Sequence, residues 1–350
     1  MPDALPRAAL RRALLRWYDA CARDLPWRGT RDPYRVWLSE IMLQQTQVET
    51  VRPYYERFLA AFPVLERLAT ADLADVLRLW QGLGYYSRAR NLHRAARVVH
   101  GERRGRWPTN VEGWLNLPGV GRYSAGAIAS IAQRLRAPAV DGNVRRVLAR
   151  LAALDARSGS LELEARAWEL AGALLDPRRP GDFNQALMEL GARVCRPRAP
   201  ACAACPLASF CHARRLGDPL RFPTPVSRAA VRKVEAVAAA IVDRGRGLLV
   251  QRPPRGLLGG MWGLPAAEIR PEDAGSADAP MPPAMRRALR AALAADLGLT
   301  ITVGGRLGVV EHVFTHRRLR LHILACRTHD GCRPNGLGRR VGPAELADVA

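Results

Sequence analysis

The chain has 350 residues, 48% of them hydrophobic, and a formal net charge of +22. That length can hold two domains with real cores, and a basic excess spread over the whole chain calls for an anionic partner, nucleic acid first. No 18-residue apolar run exists, and the basic N-terminus lacks an unbroken apolar core, so neither a membrane helix nor a signal peptide is expected and the thiols should stay reduced in the cytoplasm.

Residues 7 to 23 place Leu10, Leu14, Trp17 and Cys21 on one helical stripe that ends before Pro26. Asp32-Pro33 has the form of an N-cap with proline at the first helical position, opening a helix from Tyr34 to Val51. That run carries Ser39, Glu40 and the cluster Gln44, Gln45, Thr46 and Gln47 among apolar neighbours. Amides so placed can pair with base edges or simply form a polar, exposed face. Thr70 is expected to cap a helix through Leu73, Val76, Leu77 and Trp80, and Ser87 one from Arg88 to His100. Between them Gly82-Leu83-Gly84-Tyr85-Tyr86 offers an aromatic pair, either a core anchor or a wedge against bases. Asn110 caps a short helix holding Trp114 and Leu115.

Leu117-Pro118-Gly119-Val120-Gly121 then makes a tight turn into the Ala-rich run beginning at Arg122, Tyr123 and Ser124. Residues 110 to 135 thus read as a helix-hairpin-helix. The amides at such a helix start have no intrahelical partner, so they bind phosphate, and the glycines let a nucleic-acid backbone come close. One helix later Asp141-Gly142-Asn143-Val144 puts a carboxylate at the mouth of the next helix, an N-cap or a reactive group. Lys233 is the only lysine and lies far from the hairpin, which argues against Schiff-base chemistry there. Helices at 144–154, 163–175 and 180–194 follow, the last with Glu189.

Four of the seven cysteines, Cys195, Cys202, Cys205 and Cys211, fall within 17 residues among arginines. In a reducing compartment this pattern means a metal site; zinc and an iron–sulfur cluster both accept four thiolates, but the paired Cys-x2-Cys knuckles usual for zinc are absent. Residues 216–232 form a proline- and arginine-rich linker. Beyond it the periodicity changes to strands at 234–241, 247–250, 301–313 and 319–326 around a helix at 284–295, a second, α+β domain over 233–350.

Taken together, Ser39 to Val48, Gly82 to Tyr86, Leu117 to Gly121, Asp141 to Val144, Gln185 to Gly191 and the four cysteines resemble the helix-hairpin-helix DNA glycosylases, and among them the MutY-type adenine DNA glycosylases. The resemblance implies an all-α glycosylase domain over 1–215 with a 4Fe–4S cluster on Cys195, Cys202, Cys205 and Cys211, then a Nudix-like domain. It implies a monomer that excises adenine mispaired with 8-oxoguanine or guanine in double-stranded DNA. By the same resemblance Glu40 protonates the base, Asp141 stabilises the oxocarbenium ion, and Tyr123, Asn143 and Glu189 complete the pocket. Gln45 and Tyr85 take wedge and gap-filling positions, while Leu117, Gly119, Val120 and Gly121 grip the strand. Phe314-Thr315-His316 reads the 8-oxoguanine, with threonine where the family has serine. The second-domain helix carries only Asp296 as an acid and so lacks the carboxylates of a working Nudix hydrolase. An endonuclease III-like glycosylase for oxidised pyrimidines would share the hairpin, Asp141 and the cluster, yet it would want lysine at position 123 and lacks the second domain. A non-catalytic damage-binding module with zinc leaves Glu40 and Asp141 without a use.

Overall fold

A computed structural model describes residues 6–226, 231–253, 256, 258–275, 281–314, 317–329 and 338–348. Contacts cluster into two units, 1–227 and 228–350. The first is helical: α1 Arg7–Cys21, α2 Pro33–Leu43, α3 Val48–Ala61, α4 Leu65–Thr70, α5 Leu73–Trp80, α6 Ser87–Arg97, α7 Val111–Leu115, α8 Arg122–Gln133, α9 Gly142–Leu151, α10 Leu161–Leu174, α11 Pro180–Arg193 and α12 His212–Arg215.

The cap residues explain several of these starts. The Asp32 carboxylate accepts the Tyr34 amide at 2.9 Å, Asn110 Oδ1 accepts the Gly113 amide at 2.7 Å and Ser160 Oγ the Leu163 amide at 3.1 Å. Three expected boundaries differ. Ser87 does not cap α6 but begins it, with Tyr86 at the N-cap and no side-chain cap hydrogen bond. The helix opened by Pro33 does not run to Val51: it stops at Leu43, turns through Gln44–Gln47, and restarts as α3, with Gln45 in the left-handed region at φ +59°. Thr70 caps nothing that follows; it ends α4, its hydroxyl donating back to Glu66 O at 2.8 Å, and Asp72 precedes α5.

Leu10 and Leu14 of α1 bury against Val147 and Leu148 of α9, Trp168 of α10 and Phe183 and Leu187 of α11. A second aromatic packing chain runs from Trp37 to Trp107 at 5.6 Å and on to Trp114 at 5.4 Å between ring centroids. α8, all but sheathed in protein, packs on α2, α7 and α11, and this brings residues from three stretches of sequence to one place.

In the second unit β1 Arg232–Asp243 is buried on both faces from Val237 to Ala239 and forms the centre of the sheet. It pairs in parallel with β6 Arg317–Thr328 and antiparallel with β2 Arg246–Gln251 and β4 Ala266–Ile269; β3 Trp262–Gly263 and β7 Gly338–Val341 flank β2, and β5 Ile301–Val313 lies on the far side of β6. After α13 Pro271–Ala274, α14 Pro283–Leu297 buries Met285, Leu289, Leu293 and Leu297 at four-residue spacing in the core shared with Val237, Ala239 and Leu324. Its first thirteen residues hold no acid, and Asp296 is its only one.

Gly126 of α8 faces the backbone of Pro138, where an added Cβ would lie 2.0 Å from the carbonyl oxygen. Alanine normally favours a helix over glycine by up to about 1 kcal/mol. Here the clash reverses the sign, so Gly126→Ala should destabilise the helical unit by about 1–3 kcal/mol, measured as a lower denaturation midpoint; an unchanged or higher midpoint would refute the close approach.

Candidate active site

α2 delivers Glu40 into the protein with 5% of its surface exposed, and its Oε2 is buried without a hydrogen-bond partner. Burial raises its carboxyl from the ordinary carboxylate range to about 7; the Tyr123 hydroxyl pulls it down and the Asp141 charge pushes it up. Tyr123, on the first turn of α8, has its hydroxyl 3.5 Å from Met188 Sδ of α11. Burial, then the charges of Glu40 and Asp141, hold that phenol well above its usual value, so it remains neutral.

Asp141 is the N-cap of α9. Its Oδ1 accepts the Val144 amide at 2.7 Å and its Oδ2 the Asn143 side-chain amide at 2.9 Å. Burial raises its pKa, opposed by those donors and by Arg146. Asn143 Oδ1 in turn accepts Arg146 Nη2 at 2.9 Å, and the same guanidinium donates to Gly191 O and Cys195 O, each at 2.8 Å. Glu40, Tyr123, Asp141 and Asn143 are thus brought together from three helices.

Glu189 is differently engaged. Its carboxylate, fully buried, accepts Arg23 Nε at 2.7 Å, Arg23 Nη2 at 2.9 Å and Arg28 Nη2 at 2.6 Å, with Arg193 at 3.6 Å. Burial pushes its pKa up, but the arginine hydrogen bonds outweigh burial and hold it low. Glu189 is therefore an ionised hub that pins the 23–28 segment to α11. Arg23 and Arg28 carried no signal in a sequence so rich in arginine; only an acid at 1% exposure demands such partners.

At the hairpin the side chains of Leu117 and Val120 are buried, at 2% and 6% exposure, while Gly119 and Gly121 are exposed. Contact with a strand here falls to backbone. Gly119 has φ +79°, and a Cβ would lie 2.7 Å from Asn91 Cβ, so glycine is required twice over. Gly121 is the N-cap of α8 and offers no side chain, leaving the first amides of that helix unclaimed by a cap. Gln45 and Tyr85 are both exposed and both left-handed, at φ +59° and +49°.

Cys195, Cys202, Cys205 and Cys211 line one small cavity whose wall includes Arg150 and Arg214. Arg150, 3% exposed, donates to Cys195 Sγ at 3.3 Å, Arg196 O at 2.7 Å and Pro197 O at 2.9 Å, while the Cys211 thiol donates to Arg150 O at 3.4 Å. Among the described residues no three of His, Cys, Asp and Glu converge closely enough to hold a single metal ion. Four thiols around one cavity, with guanidinium charge beside them, fit a larger group such as an iron–sulfur cluster.

In the second unit Phe314 follows β5; its amide donates to Arg317 O at 2.8 Å and its ring meets His312 edge-on at 4.3 Å. Thr315 and His316 lie outside the described residues.

The model of the HhH-GPD superfamily of base excision DNA repair proteins matches residues 38–172, and a NUDIX domain model matches 236–350. Adenine DNA glycosylase of Homo sapiens is 39% identical over 376 residues, covering 92% of this chain and 67% of the human protein; the Rattus norvegicus enzyme is 40% identical over 374 residues, covering 92% and 71%. The chain belongs to the adenine DNA glycosylases. These are N-glycosyl hydrolases of base excision repair, and the family typically carries a 4Fe–4S cluster. The solved structure of a thermostable thymine-DNA glycosylase matches with a TM-score of 0.53 at 31% identity, covering 60% of this chain and 97% of that one. A trapped endonuclease III–DNA intermediate, at TM-score 0.51 and 20% identity over 61% of this chain and 100% of that one, shares the fold of the helical part. No described helix of this adenine DNA glycosylase family member is long and apolar enough to cross a membrane.

The Glu40 environment predicts a stability effect of fixed sign. Its pKa is near 4.5 unfolded and about 7 folded, so the native state binds more protons between those values and loses stability as pH rises through that window. The loss approaches about 3 kcal/mol. Glu40→Gln should therefore raise the melting temperature above wild type at pH 8 and leave it nearly equal at pH 4; a difference independent of pH would show that Glu40 is not held in its neutral form.

Proposed function

We propose that this chain excises adenine mispaired with 8-oxoguanine or guanine in double-stranded DNA, with Glu40 as general acid and Asp141 as the charge-stabilising carboxylate. The observation that carries this reading is the pairing of two carboxyls in different environments, one inside α2 and one at the start of α9, close enough for their charges to interact. Glu40 is buried, unpartnered at one oxygen and half-protonated near neutral pH, whereas Asp141 is fixed by helix amides and the Asn143 side chain.

Adenine leaves poorly as an anion, so a proton must reach the base as the glycosidic bond stretches. Glu40 supplies it from a site where the neutral acid persists at working pH. The sugar becomes oxocarbenium-like, and the Asp141 carboxylate stabilises the growing positive charge or bonds to it transiently. Asn143 orients Asp141, and neutral Tyr123, which feels the charges of both acids, places no cation there. Tyrosine at this position, with Lys233 the only lysine in the chain, leaves no lysine amine for a Schiff base near the hairpin, so cleavage stops at the abasic site.

The duplex must release the base first, at a cost of roughly a few kcal/mol that is smallest at a mispair. Gln45 and Tyr85 enter the stack from their left-handed turns, and the exposed backbone at Gly119 and Gly121 with the open start of α8 grips the phosphates. Residues 1–215 carry out excision. Residues 233–350 recognise the opposite base through Phe314, Thr315 and His316. The Cys195, Cys202, Cys205 and Cys211 thiolates would hold a 4Fe–4S cluster, and the arginines on the same loop would face DNA phosphates. The enzyme acts as a monomer at the bacterial nucleoid.

Asp141→Asn should lower single-turnover excision from an adenine:8-oxoguanine duplex by at least about a hundredfold while duplex affinity stays within a few-fold. Strand breaks should appear only after alkali treatment; breaks without alkali, or a variant as fast as wild type, would overturn the mechanism. The excision rate should also fall as pH rises through about 7, the Glu40 value, and on the acid side through the raised pKa of Asp141. The purified protein should be brown; a colourless, zinc-loaded preparation made without oxygen would rule out the cluster.

A further inference from the structure

Arg88 lies in the first turn of α6, 7% exposed, and its guanidinium reaches two loops at once. One terminal nitrogen, Nη1, donates to Met42 O at 2.6 Å, to Ile41 O at 3.2 Å and to Gln44 O. The other, Nη2, donates to Thr46 Oγ1 at 3.0 Å, to Gly84 O at 3.1 Å and to Leu83 O at 3.2 Å. The first set comprises carbonyls left orphaned where α2 breaks off, so Arg88 supplies the C-terminal cap that the sequence of that helix lacks. The second set straddles both turns that hold left-handed residues, Gln45 and Tyr85. The guanidinium also stands 5.4 Å from the Trp80 ring centre and 5.3 Å from that of Tyr85.

Left-handed backbone is costly for residues with a Cβ, by about 1–2 kcal/mol each. Two such residues, both exposed, persist only where something over-determines them. Arg88 is the group that touches both turns. A tie from the other side comes from Gln44, whose side-chain amide donates to Ser124 Oγ at 3.0 Å and Gly119 O at 3.3 Å. Burying a guanidinium this deeply has a price, visible in the fall of its pKa to about 10.

We propose that Arg88 is the positioning residue that holds Gln45 and Tyr85 in their wedge conformations before DNA binds and locks both to the end of the helix that carries Glu40. The proposal rests on the reading of Gln45 and Tyr85 as duplex-opening wedges. Arg88 itself touches no DNA. It removes the ordering cost of two wedge loops from the base-flipping step and couples their insertion to the placement of the acid.

The test compares single-turnover excision by the full chain on two substrates: a paired duplex with adenine opposite 8-oxoguanine, and the same strand with adenine in an unpaired bubble, where no wedge is needed. Arg88→Lys keeps the charge but cannot span both turns. It should lose about tenfold on the paired duplex and recover most of that on the bubble, and Tyr85→Ala added to it should cost little more than either change alone. 2-Aminopurine beside the target should report slower flipping in the same variant. Equal loss on both substrates would reduce Arg88 to a structural support and overturn the proposal, as would no loss on either. If Arg88→Lys does not fold, Thr46→Val removes one acceptor of the clamp and should show the same substrate pattern at smaller size. A Tyr85→Ala single variant as active as wild type on the paired duplex would instead remove the wedge reading on which the proposal stands.

Discussion

Burial of the Glu40 carboxyl in α2 imposes conditions on every element around it. A neutral acid needs a dry site, so α2 is sealed from Val36 to Met42, and α8, itself buried from Ser124 to Ser130, packs against it. A second carboxylate next to a dry site must keep its own charge in check. Asp141 does so by sitting at a helix start, where two hydrogen-bond donors and the helix dipole favour the ion that burial disfavours. The division of labour between the acids therefore follows from their positions along helices, one in the interior of a helix and one at its mouth.

α9 carries this arrangement outward. Asp141 stands at its N-terminus and Arg150 near its C-terminus, and Arg150 clasps the chain from Cys195 to Pro197 as well as Phe222 O at 3.1 Å. Arg146, between them, binds both Asn143 and Cys195 O. One ten-residue helix thus connects Asp141 to the cysteine loop through rigid side-chain contacts, and Gly191 permits it to lie so close to α11 that a methyl group would meet Asn143 Cβ at 2.6 Å.

Much of this was legible in residue patterns because the chemistry demands unusual local sequence. A Pro-Gly-x-Gly turn before an Ala-rich run and an Asp before a helix are each common in structural roles, and they gain meaning from standing one helix apart and from the four cysteines within 17 residues. The break in α2 was hidden, since Leu43 to Val51 contains neither proline nor glycine and satisfies a helical period; the break is made from a distance, by Arg88. Glu189 was placed in the pocket on motif alone, while its surroundings show arginines on three sides, a tertiary fact that spacing does not encode. The short strands β3, β4 and β7 escaped for the opposite reason: with two to four residues each they carry no alternation to read, and they exist only because β1 and β2 offer edges to pair with. Gln45 and Tyr85 were ambiguous in sequence, and the backbone conformation they share removes them from the core.

The parallel pairing of β1 with β6 bears on how the protein is made. Val234 lies opposite Leu319 and Ile241 opposite Cys326, so the central ladder of the second unit joins segments some eighty-five residues apart. Such a pairing cannot begin until nearly all of the chain has left the ribosome, and the closing of so long a loop is slow. The helical unit faces no such delay: α1 to α12 and all four clustered cysteines precede residue 216, so its hydrophobic core and thiol cavity can assemble while β1 still awaits its partner. Synthesis then completes a folded, cysteine-lined cavity before the central ladder of the second unit exists.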